Sequence, residues 1–171
     1  MSTELSTDRL LLRAVRPDDA AEITSIIADP RIYRMVARIS PDQSLAQTLA
    51  WIAGHDAGRA SDTDHVYAIT LDGKPIGMTG AHRDVAYLPF EVGYWLSPEY
   101  WGKGIVTEAA DAVLKWLQAR GERAFVSGYF VDNPASGRIL DKLGFMKADR
   151  RHVFCLGRGE EVEHYYMARV A

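Results

Sequence analysis

Cysteine is almost missing from this chain: Cys155 is the only one in 171 residues. A single thiol excludes a disulfide framework and a cysteine-built zinc site, and it fits a reducing cytoplasm, the expected location. Neither sign of charge dominates, since 20 Lys and Arg stand against 23 Asp and Glu for a net charge of −3. No overall basic field therefore draws the protein to nucleic acid or to an anionic membrane. Long apolar runs are also absent. The opening "MSTELSTDRLLLR" mixes acids and arginines, so neither a signal peptide nor a membrane span is expected. There is no repeat, no low-complexity segment and no linker. What the chain does have is 47% apolar residues and a quarter charged ones, enough for a real core. A single domain spanning residues 1–171 is expected, with a small molecule or a protein segment as its partner.

The first half reads as a strand, Arg9 to Val15, feeding a helix that starts at Asp18/Asp19 and carries Ile23, Ile26 and Ile27 as its apolar stripe. A second helix is predicted from about Ser44 to Ala57, with Leu45, Leu49 and Ile52 on one side. Arg31, Arg34 and Arg38 fall at spacings that a helix would gather on one face, read as a solvated surface. The period then changes. "HVYAITLDGKPIGMTGAH" is a hairpin about Asp72-Gly73, and "FEVGYWLSP" adds a third strand to an antiparallel meander. Val106 to Arg120 is helical, with Ala109, Ala110, Val113, Trp116 and Leu117 opposite a polar stripe, and Gly121 stops it. "RAFVSGYFV" is a strand. "DNPASGRILDKLGF" is a short helix with Asn133 as N-cap and Pro134 at its first position, and "HVFCLG" and "VEHYYMARV" are terminal strands.

Between the meander and the long helix lies "YWGKGIVTEA", with Gly102 and Gly104 around Lys103. A helix mouth offers unpaired amides and a partial positive charge, so it suits phosphate, and glycines let a ligand approach the backbone. The dinucleotide fingerprint fails at Thr107, and the Walker pattern fails because Gly104 follows Lys103. Taken alone, the turn is equally compatible with an ordinary tight connection.

In its order of elements, and in "TDRLLLRAVRPDDA", "EVGYWLSPEYWGKGIVTEA" and "DNPASGRILDKLGF", the chain resembles the GNAT superfamily of acyl-CoA N-acetyltransferases, in particular the ribosomal-protein N-terminal acetyltransferases of the Rim type. The resemblance implies a mixed α/β fold whose central, mostly antiparallel sheet is splayed between the fourth and fifth strands, with helices on both faces. It implies acetyl-CoA as cosubstrate and no metal. The pyrophosphate would lie on the backbone of Trp101, Gly102, Lys103, Gly104, Ile105, Val106 and Thr107. Trp101 and Val106 stand where the superfamily more often has Gln or Arg and Gly or Ala. Trp95, Leu96 and Ser97 would offer backbone groups to the pantetheine arm, and Asn133 would contact it too.

By the same resemblance, Glu91 is the candidate general base and Ser136 the hydroxyl near the thioester sulfur. The superfamily's usual tyrosine acid falls on Leu140, which cannot supply a proton. Each has a plainer reading: a surface carboxylate for Glu91, a first-turn hydrogen bond for Ser136 and a simple cap for Asn133. Trp51, His55, Tyr33 and Arg34 are candidates for the acceptor pocket. His65, His82, His152 and His164 have no ligand spacing, and Cys155 reads as a small buried hydrophobe.

The expected reaction is direct transfer of an acetyl group from acetyl-CoA to a primary amine, with a protein or peptide N-terminal α-amine as the leading acceptor, by a monomer or homodimer. A free small-molecule amine as acceptor, and a non-catalytic acyl-CoA-binding module, are the alternatives.

Overall fold

The computed structural model describes residues 4–171. Eight strands form one sheet: β1 (Leu5–Ser6), β2 (Leu11–Ala14), β3 (Asp64–Leu71), β4 (Lys74–His82), β5 (Phe90–Leu96), β6 (Ala124–Phe130), β7 (Met146–Cys155) and β8 (Glu160–Val170), in the spatial order β1-β2-β3-β4-β5-β6-β8-β7. Every neighbouring pair is antiparallel except β5 and β6. These run parallel and meet at only two rungs, Phe90 with Phe125 and Glu91 with Val126. Past Glu91 the two strands part, although the Ser127 hydroxyl still reaches the Val92 carbonyl at 2.7 Å. This is the expected splay; the short β1 moves it by one in chain order.

Helices cover both faces. On one, α5 (Ile105–Ala119) and α6 (Pro134–Lys142) close a core with Leu12, Ile69, Phe90, Val92, Phe125 and Met167. The four-residue recurrence of Ala109, Val113 and Leu117 puts all three on the buried stripe of α5, and Gly121, at φ +100°, ends that helix region as its sequence position suggests. On the other face α1 (Ala20–Ile27), α2 (Pro30–Tyr33) and α3 (Leu45–Ala53) pack Ile23, Ile27, Ile32 and Ile52 against Ala68 and Met78. A buried two-pronged pair, Arg13 to Asp19 at 2.7 and 2.8 Å, ties β2 to the turn that starts α1. The hairpin turns at Asp72 (φ +50°) and Gly73 (φ +80°), the conformation that this dipeptide favours.

Three expectations need correction. The helix begun at Ser44 breaks at Gly54, and α4 (His55–Ala60) follows it. Leu45 and Leu49 are exposed; Thr48 is buried in their place because its hydroxyl has partners inside, Thr24 at 2.8 Å and Gln43 at 3.0 Å. The last hairpin starts at Met146 rather than near His152. Its first strand lies at the sheet edge with most side chains in water, so charged residues are tolerated there. Arg31, Arg34 and Arg38 are exposed as expected, but α2 ends at Tyr33 and gathers no helical stripe.

Candidate active site

After β5 a short 3-10 turn, Pro98–Tyr100, delivers the chain to the glycines. Gly102 and Gly104 both sit at φ +74°, where a side chain would be strained. Gly104 is itself the N-cap of α5, and no side chain among the described residues caps the helix. The first backbone bond of α5 runs from Glu108 N to Gly104 O at 3.1 Å, so the amides of Ile105, Val106 and Thr107 have no acceptor within the helix. Ile105 and Val106 turn their side chains into the core and leave only backbone at the mouth. A groove of about 380 Å³ opens here between Gly104, Thr107, Glu108 and Asp111 on one side and Lys142 and Leu143 on the other, with Asp111 paired to Lys115 at 2.6 Å. Lys142, on the last turn of α6, is the ammonium lining it; in the sequence nothing distinguishes it from other surface lysines.

An acid in the first turn of α5 would oppose an anion at this mouth, and the structure answers that charge. Thr7 donates to Glu108 at 2.6 Å, and the Arg9 guanidinium holds the other carboxylate oxygen at 2.6 Å. Burial pushes the Glu108 carboxyl up, but these bonds outweigh it and keep it below the usual carboxylate range. Arg9 also donates to the Lys103 carbonyl at 2.8 Å.

The gap between β5 and β6 leads away from this mouth. Ser97 N donates to Ile76 O at 2.8 Å, so the amide of Ser97 is committed to the β4 ladder. Alternation along an antiparallel strand places Trp95 on that side too and turns Val92, Tyr94 and Leu96 toward the gap. The Leu96 carbonyl is already taken by Trp101 Nε1 at 2.8 Å. Of Trp95, Leu96 and Ser97, only Leu96 therefore turns backbone to the gap, joined by Tyr94, which the sequence did not single out. Trp101 is exposed and braces the turn, and Lys103 folds back on Glu99 O at 3.2 Å.

Glu91 occupies the last rung before the strands part, paired with His82 on β4 and Val126 on β6. Its carboxylate is exposed and lines a cleft of about 240 Å³ on the α1–α3 face, together with Arg38, Asp64, His82, Gly93 and Trp95. Gly93 leaves the floor of that cleft open, since nothing lies within 4 Å of where a Cβ would be. Burial raises the Asp64 carboxyl. The cleft wall comes from Val36, Ala37 and Arg38, not from the residues expected. His55 is buried beneath Trp51, ring centroids 4.4 Å apart, while Tyr33 and Arg34 present backbone carbonyls to Cys155 Sγ at 3.7 Å. Cys155 is fully buried.

Ser136 stands at the third position of α6, with its amide 3.5 Å from the Asn133 side-chain oxygen that caps the helix. Leu140, one turn on, is fully enclosed in the core. The Ser136 hydroxyl faces β5, where the Tyr94 hydroxyl lies 2.8 Å away.

Comparison with known proteins agrees with this geometry. The model of the family described as "Acetyltransferase (GNAT) domain" matches residues 9–146. The uncharacterized N-acetyltransferase YoaA of Bacillus subtilis is 29% identical over 150 residues, covering 84% of this chain and 82% of that protein. The ribosomal protein uS5-alanine N-acetyltransferase of Escherichia coli is 24% identical over 172 residues, covering 96% and 89%. Among solved structures, RimL, a ribosomal L7/L12 α-N-protein acetyltransferase in complex with coenzyme A, superposes with a TM-score of 0.83 at 19% identity, covering 98% of each chain. The microcin C7 self-immunity acetyltransferase MccE, in complex with acetyl-CoA and AMP, gives 0.84 at 20% identity, covering 96% of this chain and 94% of that one. With the family model spanning most of its length, this chain belongs to the GNAT acetyltransferases.

Proposed function

We propose that the protein acetylates the α-amino group at the N-terminus of a protein or peptide, with acetyl-CoA as donor. The observation that carries this reading is the position of Glu91, an exposed carboxylate at the point where the β5–β6 gap meets the cleft. The chain's own features fit coenzyme A: an uncapped helix mouth for the pyrophosphate and a parted pair of strands, with the backbone of Tyr94 and Leu96 turned to the gap, for the pantetheine arm. Acetyl-CoA supplies an activated thioester. Trp101 to Thr107 and Asn133 are assigned to hold it.

The attacking amine must be neutral. At pH 7 deprotonation costs about 1 kcal/mol for an α-amine of pKa near 8, and roughly 4 to 5 kcal/mol for a lysine near 10.4. An exposed carboxylate is a modest base, adequate to the first task and poorly matched to the second. Glu91 takes the amine proton, directly or through a water. Ser136 donates a hydrogen bond to the sulfur as negative charge gathers there. A neutral amine attacks a thioester directly, and Cys155, buried against the Tyr33 and Arg34 carbonyls, is not placed to serve as a nucleophile. The names of the Rim-type relatives support a ribosomal-protein N-terminus as acceptor.

A free small-molecule amine is the second reading, favoured by the likeness to the self-immunity enzyme, which was seen with AMP. Turnover of acetyl-CoA against a panel of peptides with free N-termini, aminoacyl compounds and polyamines separates the two. Activity with peptides supports the proposal. Activity confined to the small amines overturns it.

A further inference from the structure

Tyr94 departs from the pattern of its strand. Its neighbours on the same face, Val92 and Leu96, are buried apolar side chains that meet α5, whereas Tyr94 carries a hydroxyl into that layer and spends it on α6. The Tyr94 oxygen lies 2.8 Å from Ser136 Oγ, where either hydroxyl can donate, and 3.3 Å from the Ser136 carbonyl, a longer and competing acceptor for the single phenol proton. Between two hydroxyls, who donates decides what each has left to give. A phenol is the stronger acid and the better donor, and a serine oxygen accepts readily while keeping its own proton. A serine within a helix commonly returns that proton to the carbonyl four residues back. Ser136 makes no such bond to the Asp132 or Asn133 carbonyl among the described residues; the partner of its hydroxyl is Tyr94.

We propose that Tyr94 is a positioning residue for the sulfur end of the reaction: by donating to Ser136 Oγ it fixes the serine hydroxyl and leaves the serine proton directed at the leaving thiolate. This rests on the reading of Ser136 given above. Burial pushes the Tyr94 phenol up to about 12, against the opposing pull of the Ser136 bond, so it remains a donor throughout the working range. In the transfer, the amine nitrogen forms the new bond to the acetyl carbon and gives its proton to Glu91. The carbon–sulfur bond breaks with its electron pair on sulfur, and Ser136 stabilises that charge by a hydrogen bond which the Tyr94 donation strengthens. The thiolate takes its proton from solvent after release, so no proton is lost from Ser136 or Tyr94 and neither needs recharging.

The test is a double-mutant cycle on kcat and on KM for acetyl-CoA. Tyr94→Phe keeps the ring and its packing but removes the hydroxyl. It should lower kcat by roughly tenfold, with KM for acetyl-CoA changed less than about twofold. In the Ser136→Ala background, Tyr94→Phe should add less than about a further twofold, because the tyrosine acts only through the serine. If Ser136→Ala lowers kcat while Tyr94→Phe does not, or if the two losses multiply, the assignment of Tyr94 is overturned and Ser136 keeps its role. If Ser136→Ala itself leaves kcat unchanged, the reading of the sulfur end falls and Tyr94 falls with it. Should Tyr94→Phe fold poorly, 3-fluorotyrosine at position 94 serves instead: a more acidic phenol of nearly the same size should change kcat without moving KM, and an unchanged kcat refutes the proposal.

Discussion

Arg9 donates from Nη1 to the carbonyl of Lys103, 2.8 Å away, and grips Glu108 with the rest of its guanidinium. Those partners lie 94 and 99 residues further along the chain. One side chain therefore pins a carbonyl of the glycine turn and neutralises the acid in the first turn of α5. Arg9→Ala should weaken coenzyme A binding by about tenfold, the order of one charge-assisted bond at a partly exposed site, with kcat little changed. Calorimetry with CoA and a kcat/KM split check it. A loss in kcat alone would contradict the role.

Gly104 holds φ +74° at the N-cap, a conformation that costs a side-chain-bearing residue about 1–2 kcal/mol and a branched one more. A Cβ there would meet Arg9 Nη2 at 3.7 Å, an ordinary contact with no clash. Gly104→Val should therefore fold but present a distorted mouth, binding CoA at least about tenfold more weakly. Calorimetry on a variant with unchanged circular dichroism decides; undiminished binding would place the pyrophosphate elsewhere.

For Glu91, replacement by Gln removes the base and keeps the shape. The rate should drop about 10- to 100-fold near neutral pH and recover in part above about pH 8, where the α-amine is already neutral. A pH–rate profile parallel to that of the unmodified enzyme would remove Glu91 from the chemistry.

His55 is only 2% exposed, and neither ring nitrogen finds a partner among the described residues. Burial, then the nearby Arg59, push its pKa down to about 4 from 6.5. The folded state keeps the ring neutral while the unfolded chain protonates it below about 6.5, so stability falls as pH drops from about 6.5 to about 4, by up to roughly 2–3 kcal/mol. Urea unfolding at several pH values measures this, and His55→Leu should flatten that part of the profile. An equal acid sensitivity in the variant would show that other groups, such as half-buried His164, account for it.

What could be read in the sequence was what local chemistry decides. Asp72-Gly73 and Gly121 take the positive φ that their positions imply, and the apolar spacing of α5 names its buried face. The helix mouth between Gly102 and Ile105 was visible for the same reason. Tyr94 was not, because an aromatic in a strand looks like core, and its partner lies 42 residues away on another element. Arg9 was hidden likewise by the distance to Lys103. Leu45 and Leu49 misled because the inside position of α3 is filled by Thr48, whose hydroxyl finds two partners there, while both leucines face solvent. At the sheet edge, "KADRR" reads as loop although it is strand, since solvent on most of its side chains leaves no apolar alternation to detect.

The most direct test offers the enzyme one peptide bearing both a free N-terminal α-amine and an internal lysine, with acetyl-CoA, and maps the product by fragmentation mass spectrometry. A single acetyl group on the N-terminal nitrogen, absent when that nitrogen is blocked beforehand, is the predicted result. Acetylation of the lysine side chain, or no acetylated peptide while a free small amine is turned over, would contradict the assignment of the acceptor.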